Sequence, residues 1–320
     1  QWWDLLPLAG ASFYAAYQVL TRFVAVKDSP ETSVVYSALV GTDYNHLPNW
    51  VSYWANVDKL NPLFGITDIN KIAFTGSTAV GREIARAVAG SNTKLTLELG
   101  GKGANIVFDD APLDQAVEGI INGIFFNQGH VCCAGSRLLV QESIQDELLK
   151  KLQRRMESLR LGDPMDKNTD IGAINSKAQL QKIEALVKQG EKEGAQLWAP
   201  ACEIPANGFF FAPTLMLGVS PANTVAREEI FGPVLSVITF RTPQEAVTKA
   251  NNTEFGLSAG IWSEKGSRIL KLADQLNAGV VWANTFNQFD PTSPFGGFKE
   301  SGYGREGGKQ GLAAYLKGGY

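Results

Sequence analysis

Two of the three cysteines in the chain are adjacent, at Cys132 and Cys133. They lie in a stretch from Phe125 to Arg137 that mixes glycines with bulky apolar residues, so the backbone there can approach a ligand closely. A thiolate is a nucleophile whose reactivity is set by its pKa and its access to substrate. Free cysteine is also among the most buried residue types. The pair alone therefore leaves both a reactive thiol and a packed structural pair open.

A carboxylate motif lies upstream, in the segment from Lys94 to Gly101. The alternation of leucines with Thr96 and Glu98 predicts a strand that carries the leucines on one face and Glu98 on the other. A carboxylate at the end of a strand, next to a flexible pair of glycines, is well placed for acid–base chemistry. A lone Glu is more commonly a solvated surface residue. Both interpretations of Glu98 stay open at this point.

A candidate phosphate site precedes this strand. The segment Lys71–Thr75 reads as a strand, and it is followed by small residues at Gly76 and Ser77 and by a helical pattern that runs to Val88. The first turn of a helix favours an anion because of its free N–H groups and its dipole, and Gly76 and Gly81 would let a pyrophosphate approach. The full Gly-x-Gly-x-x-Gly pattern is missing, and many such turns carry Gly and Ser for turn geometry alone.

Two further motifs lie in the second half of the chain. Glu229 and Phe231 stand two residues apart before a Gly-Pro break, and the loop 293–302 combines aromatic residues, among them Phe295, with glycines. Each motif alone is more often turn chemistry with core aromatics than a ligand site. A functional hypothesis arises from their combination with the cysteine and carboxylate motifs.

The composition is that of an ordinary globular protein. Of 320 residues, 44% are hydrophobic and 19% are charged, and a chain of this length is expected to form two domains. The net charge of −3 and the lack of a dense Lys/Arg block argue against a nucleic-acid partner. Three cysteines cannot form a disulfide framework, which favours a reducing, cytoplasmic location. With no Cys-x-x-Cys and only two histidines, a zinc site is not expected.

An uncharged run from Leu5 to Thr21 lies near the start of the chain. A membrane-spanning helix needs about 20 predominantly apolar residues, whereas this run contains Pro7, Gly10 and Gln18. No basic segment precedes it, as one would in a signal peptide. We therefore predict a buried helix and no membrane association. Because the chain begins without Met in core-like sequence, we also expect it to be a piece of a longer protein.

Strands and helices are expected to alternate along both halves, which predicts an α/β fold of layered sheets and helices. The predicted strands are 22–27, 71–75, 138–140, 234–240, 257–262 and 279–283. One predicted helix begins at Ser143, with Asp146 completing a partial capping box. Another follows Thr242, with proline at its first position. A third carries Leu180, Ile183 and Val187 on its inner face.

Taken together, these motifs resemble those of the NAD(P)-dependent aldehyde dehydrogenase superfamily. The matching segments are Phe74-Thr75-Gly76-Ser77, Leu97-Glu98-Leu99-Gly100-Gly101-Lys102, Phe126-Asn127-Gln128-Gly129 with Cys132, Glu228-Glu229-Ile230-Phe231-Gly232-Pro233, and Pro294-Phe295-Gly296-Gly297. They occur in the family's order, and several motifs in register are far more specific than any one of them. The resemblance extends over residues 66–315. Within the superfamily, the loop 295–308 is most similar to family 16.

The resemblance implies an incomplete Rossmann-like dinucleotide-binding domain joined to an α/β catalytic domain. We assign residues 1–101 to the partial dinucleotide-binding domain, 102–300 to the catalytic domain, and 301–320 to a C-terminal segment that returns toward the cofactor domain. We find no counterpart of the family's early N-terminal strands or of its last arm strand. Exposed sheet edges promote association, and we expect a homo-oligomer in the full-length protein.

The resemblance also implies a reaction. Cys132 would attack an aldehyde to form a thiohemiacetal, hydride would pass to the nicotinamide and leave a thioester, and Glu98 would activate the water that releases the carboxylic acid. Phe289 and Phe295 would form the aromatic walls of a channel for an uncharged aldehyde substrate. The residues implied to bind NAD are Trp3, Lys27, Gly76, Ser77, Gly81, Glu229 and Phe231.

Two positions depart from the family's pattern. Asp4 stands where the family has an Asn that donates to the oxyanion; an ionised carboxylate only accepts hydrogen bonds, and losing one such donor costs on the order of 10²–10³ in rate. The ribose-binding Glu is displaced by one residue, to Glu31, or lost, so NADP stays an alternative to NAD. Cys133 and Cys202 are expected to be structural.

The leading hypothesis is therefore the NAD(P)-dependent oxidation of an aldehyde to a carboxylic acid. One alternative, motivated by Asp4 and the missing strands, is a catalytically weak or inactive relative with a structural or scaffolding role. Another is an acylating dehydrogenase that passes the thioester to coenzyme A. Glu98 would be dispensable for that second alternative.

Overall fold

A computed structural model describes residues 34–37 and 70–316. In these ranges the strands are β1 (Val34–Ser37), β2 (Lys71–Thr75), β3 (Lys94–Glu98), β4 (Ala104–Val107), β5 (Arg137–Gln141), β6 (Gln196–Trp198), β7 (Thr214–Leu217), β8 (Val234–Phe240), β9 (Phe255–Gly256), β10 (Ser258–Trp262), β11 (Val280–Ala283), β12 (Phe298–Lys299) and β13 (Gly302–Tyr303). The helices are α1 (Thr78–Val88), α2 (Leu113–Phe125), α3 (Gln145–Met156), α4 (Lys177–Lys192), α5 (Thr224–Arg227), α6 (Pro243–Asn251), α7 (Gly266–Ala273) and α8 (Gly308–Ala313). Short 3-10 turns span Phe126–Gly129 and Glu142–Ile144.

The first sheet has the strand order β1-β2-β3-β13 among the described residues. Its first three strands are parallel, and β13 joins the edge of β3 in the antiparallel sense. In this register Glu98 lies between Thr75 on one side and Gly302 on the other. A segment from near the end of the chain therefore pairs with the strand that carries Glu98.

The second sheet has the order β11-β10-β4-β5-β8-β7-β6. Neighbouring strands are parallel except for the antiparallel pair β6 and β7. Largely parallel sheets need helices on both faces, because their strands are buried on both sides. The short pair β9 and β12 forms a separate antiparallel ribbon beside this sheet.

Helices cover both faces of the second sheet. One apolar cluster joins α2 and α3 to Leu138 and Val140 of β5, and a second joins α4 and α6 to Leu139 of the same strand. Successive side chains of a strand point to opposite faces, so β5 contributes to both cores. The layered α/β fold expected from the sequence is confirmed.

Local sequence signals define three of the helix starts. Ser77 caps α1 by accepting a hydrogen bond from the N–H of Val80, and Ser176 caps α4 in the same way. Thr242 accepts from the N–H of Glu245, with Pro243 in the first turn of α6. Such side-chain caps satisfy N–H groups that have no partner within the helix, and the helix predicted after Thr242 is confirmed.

The capping box predicted at Ser143 is wrong. The segment Glu142–Ile144 forms a 3-10 turn, α3 begins only at Gln145, and its cap residue Ile144 makes no side-chain hydrogen bond to the helix. The tighter turn takes up the residues that were expected to open the helix. Asp146 still lies in the first turn, where its negative charge interacts favourably with the helix dipole.

The strands predicted at 71–75, 138–140, 234–240, 257–262 and 279–283 are confirmed to within one residue at each end. The strand predicted at 22–27 and the apolar helix predicted at 5–21 lie outside the described residues. Within residues 34–37 and 70–316, every helix is too short or too polar to be a membrane-span candidate. The domain boundaries at 101 and 300 stay predictions.

Ser301 ties the loop between β12 and β13 to the end of β3. Its hydroxyl donates to the carbonyl oxygen of Gly100 at 2.7 Å and accepts from the N–H of Gly256 at 3.0 Å. Its own carbonyl oxygen accepts from the N–H of Leu99 at 3.1 Å. Ser301 is fully buried, so these bonds are made away from water. One side chain thereby connects the end of the Glu98 strand to the β9–β12 ribbon.

We expect Ser301→Ala to lower the free energy of unfolding by about 2–4 kcal/mol, because it leaves a buried carbonyl and a buried N–H unpaired. Urea unfolding followed by tryptophan fluorescence measures this difference. The control is Ser293→Ala, before β12, where the serine is exposed and the change should be within about 0.5 kcal/mol. Equal midpoints for the two variants would contradict the connecting role of Ser301.

Candidate active site

The cysteine loop begins where α2 ends. The turn Phe126–Gly129 contains left-handed backbone at Asn127 (φ 49°), Gln128 (φ 45°) and Gly129 (φ 76°). A Cβ at Gly129 would overlap the carbonyl of Gly232. Left-handed conformations in non-glycine residues cluster at functional sites. Here they turn the chain sharply, and Cys132 follows three residues later.

Cys132 and Cys133 occupy different environments. Cys132 is half-buried and Cys133 is buried, and neither forms a disulfide. A hydrogen bond from the thiol of Cys133 lowers the pKa of Cys132, against the opposing effect of burial. The same bond, together with burial, raises the pKa of Cys133. Of the pair, Cys132 is therefore the one that more readily becomes a thiolate.

Glu98 lies at the end of β3 and is buried, with 6% of its surface exposed. Neither of its carboxylate oxygens accepts a hydrogen bond from a described residue. Burial, and then the negative charges of Cys132 and Glu306, raise the pKa of Glu98 to about 8. The solvated-surface interpretation of this residue is wrong. A buried carboxyl with no partner, close enough to Cys132 for their charges to interact, is suited to exchange a proton in the site.

Glu229 is brought to the end of the same strand. Its Oε1 accepts a hydrogen bond from the N–H of Gly101 at 2.9 Å. A Cβ at Gly100 would lie 2.5 Å from Oε2, so a side chain there would displace the Glu229 carboxylate. Burial raises the pKa of Glu229, against the Gly101 N–H and the charges of Lys182 and Lys102.

Phe231 is held in place from α4. It has a left-handed backbone with φ 54°, and Gln179 Nε2 donates to its carbonyl oxygen at 3.0 Å and to that of Ile230 at 2.9 Å. The His130 ring lies 5.2 Å from the Phe231 ring, centroid to centroid. Burial lowers the pKa of His130 to about 4, so this imidazole is neutral at physiological pH.

The sequence did not single out Gln179 or Lys182 on α4. Gln179 fixes the backbone that carries Phe231, and the charge of Lys182 acts on Glu229. Both contacts join residues about fifty positions apart. The only local signal was their place on the polar side of a predicted amphipathic helix, which does not distinguish them from other surface residues.

An aromatic cluster adjoins the cysteine loop. The Phe289 ring lies 5.3 Å from that of Phe295 and 5.5 Å from that of Trp282. Phe295 packs with the apolar cluster that contains Cys133, while Phe289 is 58% exposed. The two predicted substrate residues thus lie side by side next to the cysteines, with one of them open to solvent.

The predicted phosphate turn lies beside the Glu98 strand. Gly76 N–H donates to the carbonyl oxygen of Glu98 at 3.0 Å, and Ser77 caps α1. Gly81 is buried, and a Cβ there would lie 2.5 Å from the Leu99 side chain. This glycine allows α1 to pack closely on the end of β3. A contact of Gly76, Ser77 or Gly81 with pyrophosphate stays a prediction.

Four residues singled out in the sequence lie outside the described ranges: Trp3, Asp4, Lys27 and Glu31. The described residues contain no cluster of three or more His, Cys, Asp or Glu that could hold a metal ion. The site in the described part therefore consists of Cys132, Glu98 and Glu229, with Phe231 and the aromatic cluster around them.

The model of the aldehyde dehydrogenase family matches residues 50–318. The chain belongs to the aldehyde dehydrogenase family. The assignment to family 16 within it stays a prediction.

Individual relatives agree with this membership. A Bacillus subtilis protein named as an aldehyde dehydrogenase is 45% identical over 250 residues, which is 78% of this chain and 50% of that protein. The crystal structure of an NAD-dependent aldehyde dehydrogenase from Sinorhizobium meliloti is 44% identical with a TM-score of 0.75, covering 77% of this chain and 49% of that one.

A betaine aldehyde dehydrogenase from Staphylococcus aureus, solved in complex with NAD⁺ and with a BME-modified cysteine, is 38% identical with a TM-score of 0.75. The match covers 77% of this chain and 51% of that one. The chain thus spans about half the length of the relatives that it matches.

Lys102 is a charged residue in an unusual environment, because it is buried without a hydrogen-bond partner in the described part of the chain. It follows Gly101 directly, is 2% exposed, and its Nζ has no hydrogen-bond partner among the described residues. Burial, and then the charge of Arg137, lower its pKa to about 7, against the attraction of Glu229. A buried charge without a partner is costly. The Lys102 ammonium group therefore loses its proton at a lower pH than an exposed lysine does.

Because the pKa of Lys102 falls from 10.5 to about 7 in the folded protein, the folded state binds fewer protons between these values. Stability should therefore rise as the pH increases from about 7 toward 10.5, and the charge penalty is fully present below 7. We expect Lys102→Met to stabilise the fold at pH 6 by on the order of 2–4 kcal/mol. The gain should shrink at pH 9.5.

Urea unfolding at several pH values measures this dependence, with Lys188→Met as the control at an exposed position of α4. A difference between Lys102→Met and the wild type that does not change with pH would contradict the buried, proton-releasing state of Lys102.

Proposed function

We propose that this chain carries the catalytic part of an aldehyde dehydrogenase that oxidises an aldehyde to a carboxylic acid with NAD(P), through a covalent intermediate on Cys132. The observation that carries the proposal is the pairing of Cys132 with Glu98. Glu98 is buried without a hydrogen-bond partner among the described residues, and its pKa is raised in part by the charge of Cys132. A purely structural carboxylate would be expected to have a partner.

Acylation begins with Cys132. The thiolate attacks the carbonyl carbon of the aldehyde, and the carbonyl oxygen of the resulting thiohemiacetal takes up negative charge. The backbone N–H of Cys132 can donate to that oxygen. Phe289 and Phe295 provide an apolar entrance, partly open to solvent, that suits an uncharged aldehyde.

The described residues fit a dinucleotide in two respects. The start of α1 follows a strand directly and offers the N–H groups that favour a phosphate. The carboxylate of Glu229, oriented by Gly101, is an acceptor for ribose hydroxyls, next to Phe231. The NAD⁺ bound in a structural relative supports NAD as the cofactor. NADP is the alternative, and the activity assay below includes both. When bound, the nicotinamide accepts the hydride from the thiohemiacetal carbon.

Deacylation requires Glu98. The carboxylate takes a proton from water, the resulting hydroxide attacks the thioester carbon, and the Cys132 thiolate leaves as the carboxylic acid forms. In an acylating enzyme, the thiol of coenzyme A would attack the thioester in place of water, and Glu98 would not be needed as a base. The buried, unpaired state of Glu98 supports the hydrolytic reaction. The cytoplasmic location and the homo-oligomer stay predictions.

Cys132→Ala should abolish aldehyde-dependent formation of reduced nicotinamide, because it removes the atom that binds the substrate covalently. The control is Cys202→Ala, a half-buried cysteine with no assigned role, which should keep wild-type turnover. A panel of aldehydes with NAD and NADP, read at 340 nm, is the measurement.

Turnover in Cys132→Ala equal to wild type would sink the proposal. If the wild-type chain binds NAD in a calorimetric titration but oxidises none of the aldehydes, the catalytically weak or inactive alternative is favoured instead.

The rate of thioester hydrolysis should rise with pH through a midpoint below about 8 but above the ordinary pKa of a glutamate, because Glu98 must be ionised to accept a proton. Burial is the main cause that raises its pKa to about 8, and the Cys132 charge that adds to this value is absent from the thioester. Each pH unit below the midpoint should cost about tenfold. Glu98→Gln should form one equivalent of reduced nicotinamide quickly and then turn over slowly at every pH. Pre-steady-state absorbance between pH 6 and 9.5 measures both. Turnover in Glu98→Gln that coenzyme A restores would instead favour the acylating alternative.

A further inference from the structure

Lys102 and Arg137 are two buried basic side chains on one face of the second sheet, and each is 2% exposed. The N–H of Arg137 donates to the carbonyl oxygen of Gly103 at 3.0 Å, which continues the pairing of β4 with β5 by one residue. Gly103 faces the other side, where a Cβ would meet the carbonyl oxygen of Ala134. Since Ala104 pairs directly with Arg137, the Lys102 side chain, two residues earlier, shares the face of Arg137.

Arg137 has only neutral hydrogen-bond partners. Its Nε donates to the carbonyl oxygen of Lys102 at 3.0 Å, and its two terminal nitrogens donate to those of Lys249 at 3.0 Å and Ala250 at 2.7 Å. A guanidinium carries five N–H groups, so these three bonds leave two N–H groups without a partner in the described part of the chain. Burial lowers the pKa of Arg137 to about 10, and the group is still charged at neutral pH.

The charge of Lys102 also lacks a partner. Its Nζ makes no hydrogen bond within the described ranges, and neither Lys102 nor Arg137 forms an ion pair with a described carboxylate. Burial and then Arg137 lower the pKa of Lys102, Glu229 and Glu228 raise it, and Lys182 lowers it further. Buried charges in proteins are normally paired. Two neighbouring basic groups here have no counter-charge in direct contact.

A small cavity lies beside both side chains. It is lined by Lys102, Ala104 and Arg137, and by residues of the segments 250–259 and 276–278. None of the side chains that line it is acidic. The centre of a water-sized sphere has about 10 Å³ in which to lie, which is room for one water molecule or one ion of a single atom. An ion of several heavy atoms, such as sulfate, is too large for this space.

We propose that Lys102 and Arg137 bind one small monovalent anion, of the size of chloride, in the cavity that they line. The anion is the counter-charge that the protein itself does not supply. It accepts hydrogen bonds from the Lys102 ammonium group and from the N–H groups of Arg137 that have no other partner. Binding is linked to the uptake of a proton by Lys102, because the charged amine attracts the anion and the neutral amine does not. No covalent bond forms or breaks.

The test is thermal unfolding of the full chain, followed by tryptophan fluorescence, while sodium chloride replaces sodium gluconate at constant ionic strength. At pH 6 we expect the unfolding midpoint to rise with chloride and to level off as the site fills. At pH 8 the chloride concentration that gives half of the rise should be about tenfold higher, because the pKa of Lys102 is about 7 and most of the amine is then neutral. The same concentration at both pH values would contradict the link to Lys102.

Lys102→Met removes the proton-binding group and keeps an apolar stem of similar size. This variant should lose the saturable response to chloride, whereas Lys188→Met, at an exposed position of α4, should keep it. The stability advantage that we expect for Lys102→Met at pH 6 should therefore narrow as chloride is added. An equal response to chloride in Lys102→Met and in the wild type would overturn the proposal.

Sulfate distinguishes a specific site from a general effect of salt. Sulfate strengthens the burial of apolar groups because it is excluded from protein surfaces. A general effect would raise the midpoints of the wild type and Lys102→Met alike. A site for a single-atom anion instead predicts that the difference between the two proteins changes with chloride and bromide and stays constant with sulfate. A difference that changes equally with sulfate would count against the site.

Bromide shows the occupant of the cavity directly. In crystals of the full chain soaked in sodium bromide at pH 6, we expect an anomalous peak in contact with Lys102 Nζ and the Arg137 guanidinium. An ordered water molecule without an anomalous peak would refute the proposal, and this measurement decides it if Lys102→Met does not fold. None of these experiments needs an aldehyde or a cofactor, so their failure leaves the proposed function untouched.

Discussion

The site depends on the close approach of four chain segments at Gly100 and Gly101. A Cβ at Gly101 would overlap the carbonyl oxygen of Cys132, and one at Gly100 would press on the carboxylate of Glu229. The Gly101 N–H donates to Glu229, and the Gly100 carbonyl accepts from Ser301. Only a backbone without side chains fits among these contacts. Four segments therefore meet where Gly100 and Gly101 follow β3. They are β3 itself, the cysteine loop, the turn that carries Glu229, and the loop between β12 and β13.

The meeting of these four segments brings several ionisable groups together in a buried environment. The pKa values of Glu98 and Glu229 are raised by burial, and that of Lys102 is lowered by burial. His130 is neutral for the same reason. Each shift favours the uncharged form, as expected where desolvation outweighs the attraction of opposite charges. Among these described site groups, only Cys132 has a pKa that shifts toward its charged form, and the main cause is a hydrogen bond from Cys133. The site thus favours the uncharged forms of its carboxyl, lysine and histidine side chains, whereas it favours the thiolate form of Cys132.

Periodicity and caps predicted most of the second sheet and the helices after Thr242 and around Ile183, because these signals act over a few residues. They did not predict the 3-10 turn before α3, where Ile144 replaces the expected cap. Glu98 was ambiguous by its local pattern, because its strand pairs with β13, about two hundred positions later in the chain, and the charge of Glu306 acts on its pKa. Ser301, Lys182 and Gln179 were not singled out for the same reason. Each acts through a contact between distant segments that leaves no local spacing in the sequence.

In the proposed reaction, the effect of the Cys132 charge on Glu98 would give the site an order of events. The Cys132 charge raises the pKa of Glu98, so the carboxyl tends to be protonated while the thiolate is free. A neutral carboxyl cannot compete with the thiolate for a proton or repel the oxyanion beside it. Once the sulfur is bound in a thioester, its charge is gone, and one contribution that held Glu98 protonated is gone with it. The ionised base is then favoured at the step that needs it. Two buried acids that discourage each other's charge can in this way serve successive steps without both being ionised at once.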